Sequence, residues 1–554
     1  MELEIPEDLA TALQGLVGAQ TALGLQLGGP GAGSGTRVVS SLHFDGHTLT
    51  LLYQLGLNAG ARDLVFQLLA LDNLNGETQL RPINSLELLV PAITDWLGRD
   101  LIDGWLYQRG KDGTMLAWLV HTVRLVTPTD GSAYVVVGLL ANTLQAAGRE
   151  PPSDPRLRFA GMTWGLSFYA EDLPGRTLAG LFADQGFHKE CPEFKREYEA
   201  QITRFMQLQP QFGAQFTVGG NAWRPGDSPR APAECITLPG GTAARCVNDE
   251  ALLQRRFDLA ADPHHWRESG IPRGFDRIPQ HAYLYLFHLD WHRHLWVHVQ
   301  HVQPYTYQPG LRGRLVLPQA HRDLIDILTA DRNFLLEDVM PGKSGGTTIL
   351  CRGAPGLGKT LTAEVYAEVV GKPLYRVHSG QLGVTASSVE ASLTKILQRA
   401  ARWDCVLLLD EADVYIRRRD NDLQHNAIVA EFLRTLEYFS GLLFMTTNRV
   451  GDIDDAILSR CIAVIDYLPP GPDDARRLWA TLAAQLGVDL PAGLRDTLAN
   501  DYAGASGRDI KELLKLTSKY CRGKGIALSA AAFAQCAVFR GLACAAVSAN
   551  RGTA

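Results

Sequence analysis

The stretch Gly353-Ala354-Pro355-Gly356-Leu357-Gly358-Lys359-Thr360 constrains this chain most, because it fits G-x-x-x-x-G-K-[ST] without a substitution. Its glycines allow a tight turn that aims several backbone N–H groups at one point, and a helix beginning at its end adds a positive terminus. Such a loop needs a strand before it and a helix after it. Residues 347–351 (TTILC) are a short apolar run rich in β-branched side chains, and residues 361–370 read as a helix ended by Gly371 and Pro373. A Gly-rich turn arising by chance would lack both flanks. The expectation is that residues 353–360, with Leu361 in the first helical turn, cradle the phosphates of ATP. Lys359 then reaches the β- and γ-phosphates, and the Thr360 hydroxyl meets Mg²⁺.

The hydrolytic half of such a site is also present. A second strand over 374–377 is followed by a helix over about 387–401 and an apolar strand over 405–409, which ends in Asp410-Glu411-Ala412-Asp413. Asp410 at a strand end is placed to hold Mg²⁺ with Thr360. Glu411 is placed to orient and polarise the attacking water. A further strand over 442–445 ends in Thr446-Thr447-Asn448, and Asn448 is the polar tip expected to hold that water opposite the γ-phosphate. Arg460 follows a short helix, where an arginine reaches the nucleotide of a neighbouring subunit.

Together GAPGLGKT, LLLDEAD, MTTN, AILSR and GASGRDI resemble the motif set of the AAA family of the AAA+ ATPases. The resemblance covers residues 318–554, somewhat over two fifths of the chain. It implies an α/β P-loop module: a parallel five-stranded sheet between helices, strand order 5-1-4-3-2, over 318–470, with a C-terminal helical lid over 471–554. By resemblance Lys359 and Thr360 are the Walker A pair and Asp410 and Glu411 the Walker B pair. Asn448 is sensor 1, Arg460 the arginine finger and Arg508 sensor 2. The family further implies a homo-oligomeric ring, usually a hexamer, with active sites between subunits. Residues 305–318, 401–404 (ARWD) and 436–439 (LEYF) resemble a sparsely characterised AAA group found in fungi and bacteria.

Two departures from the family pattern bear on function. The loop over 379–386 (SGQLGVTA), where threading members carry an aromatic, has none, and Leu382 and Val384 are its only bulky apolar residues. Arg508 stands where many AAA members have alanine. It is expected to contact phosphate in preference to forming an ion pair within the lid.

Before residue 318 the reading is coarser: an amphipathic helix and Gly-rich linker over 1–36, a mixed α/β region over 37–223, and a β-rich domain over 224–317. The helix over 7–23 carries Leu9, Leu13, Leu16, Val17 and Leu23 near one face, fit either to dock a partner from a flexible tether or to pack on its own domain. Strands are expected over 133–140 and 162–169, a helix over 190–208, and breaks at 148–155 and along the Pro-rich 224–239. His292, His294 and His298 share one face of a strand if that strand is regular, and a half-exposed strand explains them better than a metal site.

A net charge of −6 offers no overall attraction to nucleic acid, and Arg417-Arg418-Arg419 reads as a solvated loop. None of the nine cysteines forms a C-x-x-C pair, which points to a reducing compartment. The acidic start lacks a basic leader, and no apolar run is long enough to span a bilayer. Neither H-E-x-x-H nor G-x-S-x-G occurs, which argues against a protease. The chain is thus expected to be a cytoplasmic ring ATPase that remodels a protein partner recognised by its N-terminal region. A nucleotide-switched scaffold is the alternative, and a nucleic-acid motor a weaker one.

Overall fold

The computed structural model describes residues 2–28, 35–75, 85–98, 104–110, 112–142, 162–174, 176–225, 234–238, 244–253, 255, 277–330, 346–437 and 439–542. Most of the expected Gly-rich linker, the break at 148–155, the greater part of the Pro-rich segment, and Cys544 lie outside them.

The chain begins with a strand that its acidic composition hides. β1 (Glu2–Pro6) pairs antiparallel with β2 (Thr36–Ser40), Glu2 opposite Ser40. The helix Glu7–Val17 buries Leu9, Ala10 and Leu13 against Leu52, Leu64 and Leu68 of the helices Gly46–Ala59 and Arg62–Asn75. The single helix expected over 7–23 is broken at Gly18, whose φ of 93° ends it, and a second helix, Ala22–Leu27, starts from a Thr21 cap. Leu16 is consequently 61% exposed. The first helix is therefore not a tethered docking element. It belongs to a unit that runs past residue 36, because β1 finds its partner only in β2.

A five-stranded antiparallel sheet follows, in the order β6-β5-β4-β3-β7, from β3 (Trp105–Arg109), β4 (Met115–Val126), β5 (Tyr134–Ala141), β6 (Met162–Tyr169) and β7 (Phe187–Lys189). The helix Leu86–Gly98 covers one face through Leu89, Ala92 and Ile93. The next sheet has seven strands in the order β10-β9-β13-β12-β11-β8-β14. These are β8 (Gln215–Val218), β9 (Asn221–Arg224), β10 (Glu234–Thr237), β11 (Ala244–Asn248), β12 (Tyr283–His288), β13 (Arg293–His298) and β14 (Val302–Pro304). The break expected at 223/224 falls inside β9, which is held in this sheet by pairing Trp223 with Trp296 of β13.

Only His294 and His298 of the three histidines lie on β13. His292 sits in the preceding turn with φ 54°. His294 meets Asp249 at 2.8 Å and His298 meets Gln201 at 3.0 Å, so each already has a polar partner. Among the described residues no cluster of histidine, cysteine or carboxylate side chains fits a metal ion.

The C-terminal module is a parallel sheet of β15 (Thr347–Gly353), β16 (Leu374–His378), β17 (Val406–Asp410), β18 (Leu442–Thr447) and β19 (Ala463–Tyr467), in the order β16-β17-β18-β15-β19. Numbered within the module this is the expected 5-1-4-3-2. Its strands are apolar on both faces because helices cover both. Lys359–Val370 packs on one side and Ala386–Trp403 with Leu423–Leu436 on the other. The helices Pro472–Gln485, Ala492–Asp501, Gly507–Lys524 and Ala530–Ala537 form a separate core around Trp479 and Phe533.

The seven-stranded sheet is fastened to this module at the end of the helix Ala386–Trp403. The wholly buried Asp249 accepts hydrogen bonds from Arg402 Nε (2.8 Å) and Nη2 (3.0 Å) and from Trp403 Nε1 (2.8 Å). Phe287 lies 4.9 Å from the Trp403 ring, with the Arg399 guanidinium 4.3 Å from the Phe287 ring. Gly213 comes so close that a Cβ there would meet the Trp403 carbonyl oxygen at 2.8 Å.

Candidate active site

The loop after β15 owes its shape to glycine. Gly356 has φ 82° and Gly358 φ 96°. A Cβ on Gly356 would lie 2.7 Å from Ser506 Oγ, at the start of the helix Gly507–Lys524. The bare backbone therefore lets the lid close onto the loop, and Arg508 N donates to Gly356 O at 3.3 Å. Between loop and lid lies a cleft of about 970 Å³. Residues 355–361, Asp410, Glu411, Asn448 and Arg508 line it, whereas Gly353 and Ala354 of the same loop do not.

Lys359 is drawn in by three acceptors: Gly353 O at 2.7 Å, Ala354 O at 2.8 Å and Asn448 Oδ1 at 3.0 Å. Burial lowers its pKa, opposed mainly by the Asp413 charge. Thr360 Oγ1 donates to Asp410 Oδ1 at 2.8 Å, so the two candidate Mg²⁺ ligands meet. Asp410 is nearly buried, which by itself pushes its pKa up. Hydroxyl donors from Thr446 (2.6 Å) and Thr360, with the Arg376 guanidinium at 2.5 Å, outweigh that and hold it below the usual carboxylate range.

Glu411 has a left-handed backbone, φ 56°. Its N–H donates to Thr446 Oγ1 at 2.9 Å, so one hydroxyl on β18 holds both the Asp410 carboxylate at the end of β17 and the backbone of Glu411 just after it. Asn448 is positioned from the same strand, its N–H donating to Asp413 Oδ1 at 3.0 Å.

Arg460 does not line this cleft. It donates to Ala456 O at 3.2 Å and lies 3.8 Å from Glu437. Arg508 lines the cleft and has no ion-pair partner among the described residues. Thr446 and Arg376 were not singled out from the sequence. Each sits inside a strand, and only the packing of β16 and β18 against β17 brings them to Asp410. Lys511 and Arg540 of the lid, also lining the cleft, were likewise missed.

The three arginines at 417–419 each meet a carboxylate: Asp420 at 2.8 Å, Asp455 at 3.4 Å and Asp454 at 2.8 Å. The expected solvated loop is thus locally neutralised.

A phosphate loop after the first strand of a parallel sheet, facing paired acids and a helical lid, defines a P-loop nucleotide-binding module. Residues 349–467 match the family model described as ATPase family associated with various cellular activities (AAA), and this part of the chain belongs to that family. An uncharacterized AAA family ATPase of Sinorhizobium fredii is 36% identical over 128 residues, 21% of this chain and 38% of that protein. Spastin of Naegleria gruberi is 29% identical over 206 residues, 33% of this chain and 38% of that protein. A mitochondrial sorting homolog of Caenorhabditis elegans is 26% identical over 179 residues, 30% of this chain and 52% of that protein. The chain thus spans about half or less of the length of these relatives. No helix among the described residues is long and apolar enough to cross a membrane.

Proposed function

We propose that the chain is a cytoplasmic, ring-forming ATPase that couples ATP binding and hydrolysis to remodelling or disassembly of a protein partner held by the units before residue 318. The observation that carries this reading is the convergence of Lys359, Thr360, Asp410, Glu411 and Asn448 on one cleft beneath a lid, while Arg460 faces away from it.

In this reading residues 353–361 wrap the phosphates and Lys359 meets the β- and γ-oxygens. Thr360 and Asp410 would hold Mg²⁺, which would supply charge neutralisation to the phosphates. The fit is supported by the hydroxyl and carboxylate meeting beside the loop. Glu411 polarises the attacking water and Asn448 holds it in line. Arg508 reaches phosphate from the lid, and Arg460 serves the cleft of the next subunit in a ring, taken by family resemblance as a hexamer.

A second reading, a nucleotide-switched scaffold, draws on the loop over 379–386. Leu382 is buried in the core, and Tyr415 Oη ties the loop down by donating to Ser379 O and Gly383 O. Val384, 86% exposed, is then the single bulky apolar side chain it offers to a substrate.

Glu411→Gln separates these possibilities. ATP binding should persist while turnover falls by about 10²-fold or more. Retained turnover would remove Glu411 from the chemistry. Proteins that co-purify with this variant in ATP are then returned to wild type. A partner altered on hydrolysis supports remodelling, and one held in a single nucleotide state and released unchanged supports the switch.

A further inference from the structure

Both oxygens of Asp410 are already engaged. Oδ1 accepts the hydroxyls of Thr360 and Thr446, and Oδ2 accepts Arg376 Nη2 at 2.5 Å. Arg376 projects from β16, the strand next to β17, and it lines the same cleft. A divalent cation in a phosphate-loop site keeps several waters and leans on one or two carboxylates. A guanidinium and a dication next to one carboxylate repel each other, so both cannot keep it at full strength.

Arg376 has somewhere else to go. Its Nη1 lies 3.5 Å from Glu364 Oε1, on the helix that follows the phosphate loop. Glu364 also lines the cleft. The present seat is imperfect as well, since Arg376 Nε is buried without a hydrogen-bond partner.

We propose that Arg376 is a built-in competitor for the divalent cation that accompanies the nucleotide: it holds Asp410 until the cation arrives, then moves onto Glu364. The inference rests on the reading of this cleft as an ATP site. It assigns Arg376 a task apart from the water-activating acid, namely setting the Mg²⁺ concentration at which the site loads.

The test is the Mg²⁺ dependence of ADP binding by the full chain, followed calorimetrically at fixed ADP. Arg376→Gln should lower the Mg²⁺ midpoint roughly tenfold, the scale expected for removing one half-exposed charge beside a carboxylate. Arg376→Lys keeps the charge and should stay within about threefold of wild type. Glu364→Gln removes the second seat and should raise the midpoint. A residue that merely braced Asp410 would shift the midpoint upward in Arg376→Gln, and that result, or no shift, overturns the proposal. If Arg376→Gln does not fold, Glu364→Gln decides, with an unchanged or lowered midpoint as the overturning result. Failure of wild type to bind ADP at any Mg²⁺ concentration overturns the ATP-site reading and this inference together. ADP binding with unmoved midpoints overturns this inference alone.

Discussion

Glu411 is held in a conformation that side chains with a Cβ rarely adopt, at a position in the candidate site. The hydroxyl of Thr446 anchors it, accepting from Glu411 N–H while donating to Asp410. Thr446→Val keeps the shape but removes both bonds, leaving a part-buried N–H without its acceptor and Asp410 short of a donor. It should lower stability by about 1–3 kcal/mol and reduce turnover more than nucleotide affinity. Denaturant midpoints with nucleotide-binding isotherms check this, and unchanged stability would show that Thr446 is not the anchor. The sequence made the acids legible because strand-end carboxylates stand out against an apolar run. Thr446 and Arg376 stayed hidden for a different reason. A threonine and an arginine inside strands look like ordinary alternation, and their chemistry depends on β16 and β18 flanking β17.

At the scale of elements, the module was readable because its strands are continuous apolar runs separated by helices with clear stops. β1 was not readable, because a five-residue strand with two acids is stabilised only by a partner some thirty residues away. The clasp at Asp249 is likewise non-local. Arg402 and Trp403 end one helix, and their acceptor sits about 150 residues earlier. Burial raises the Asp249 pKa, while hydrogen bonds from His294, Arg402 and Trp403 outweigh this and lower it. A carboxylate lowered in the folded state contributes stability that is constant from neutral pH down to the usual value of 3.8 and is lost as pH falls further. Asp249→Ala leaves a partly buried guanidinium and an indole N–H unpaired, and should cost about 3–5 kcal/mol. Urea unfolding at pH 7 measures this. A loss under about 1 kcal/mol would mean that the aromatic contacts at Phe287 suffice to hold the two units together.

At the scale of the molecule, the seven-stranded sheet meets the ATPase module close to the candidate site. Tyr305 Oη donates to Glu368 on the phosphate-loop helix at 2.6 Å, and residues 402 and 403 hold Asp249. The ring of His292, from the turn before β13, lies 5.4 Å from that of Tyr375 on β16. The β-sheet unit thus touches the strand and the helix that flank the site. Arg460, by contrast, does not line its own cleft and lies beside Glu437, and in the proposed ring it serves the cleft of another copy. That idea has a sharp consequence for mixed assemblies. Glu411→Gln and Arg460→Ala subunits should each be inactive alone. In a head-to-tail ring, an Arg460→Ala subunit followed by a Glu411→Gln subunit rebuilds one complete site, from the Glu411 of the first and the Arg460 of the second. Random mixing in equal parts should restore about a quarter of the sites, measured as phosphate release after subunit exchange. If Arg460 served its own cleft, every mixed site would lack one group and the mixture would stay as inactive as its components.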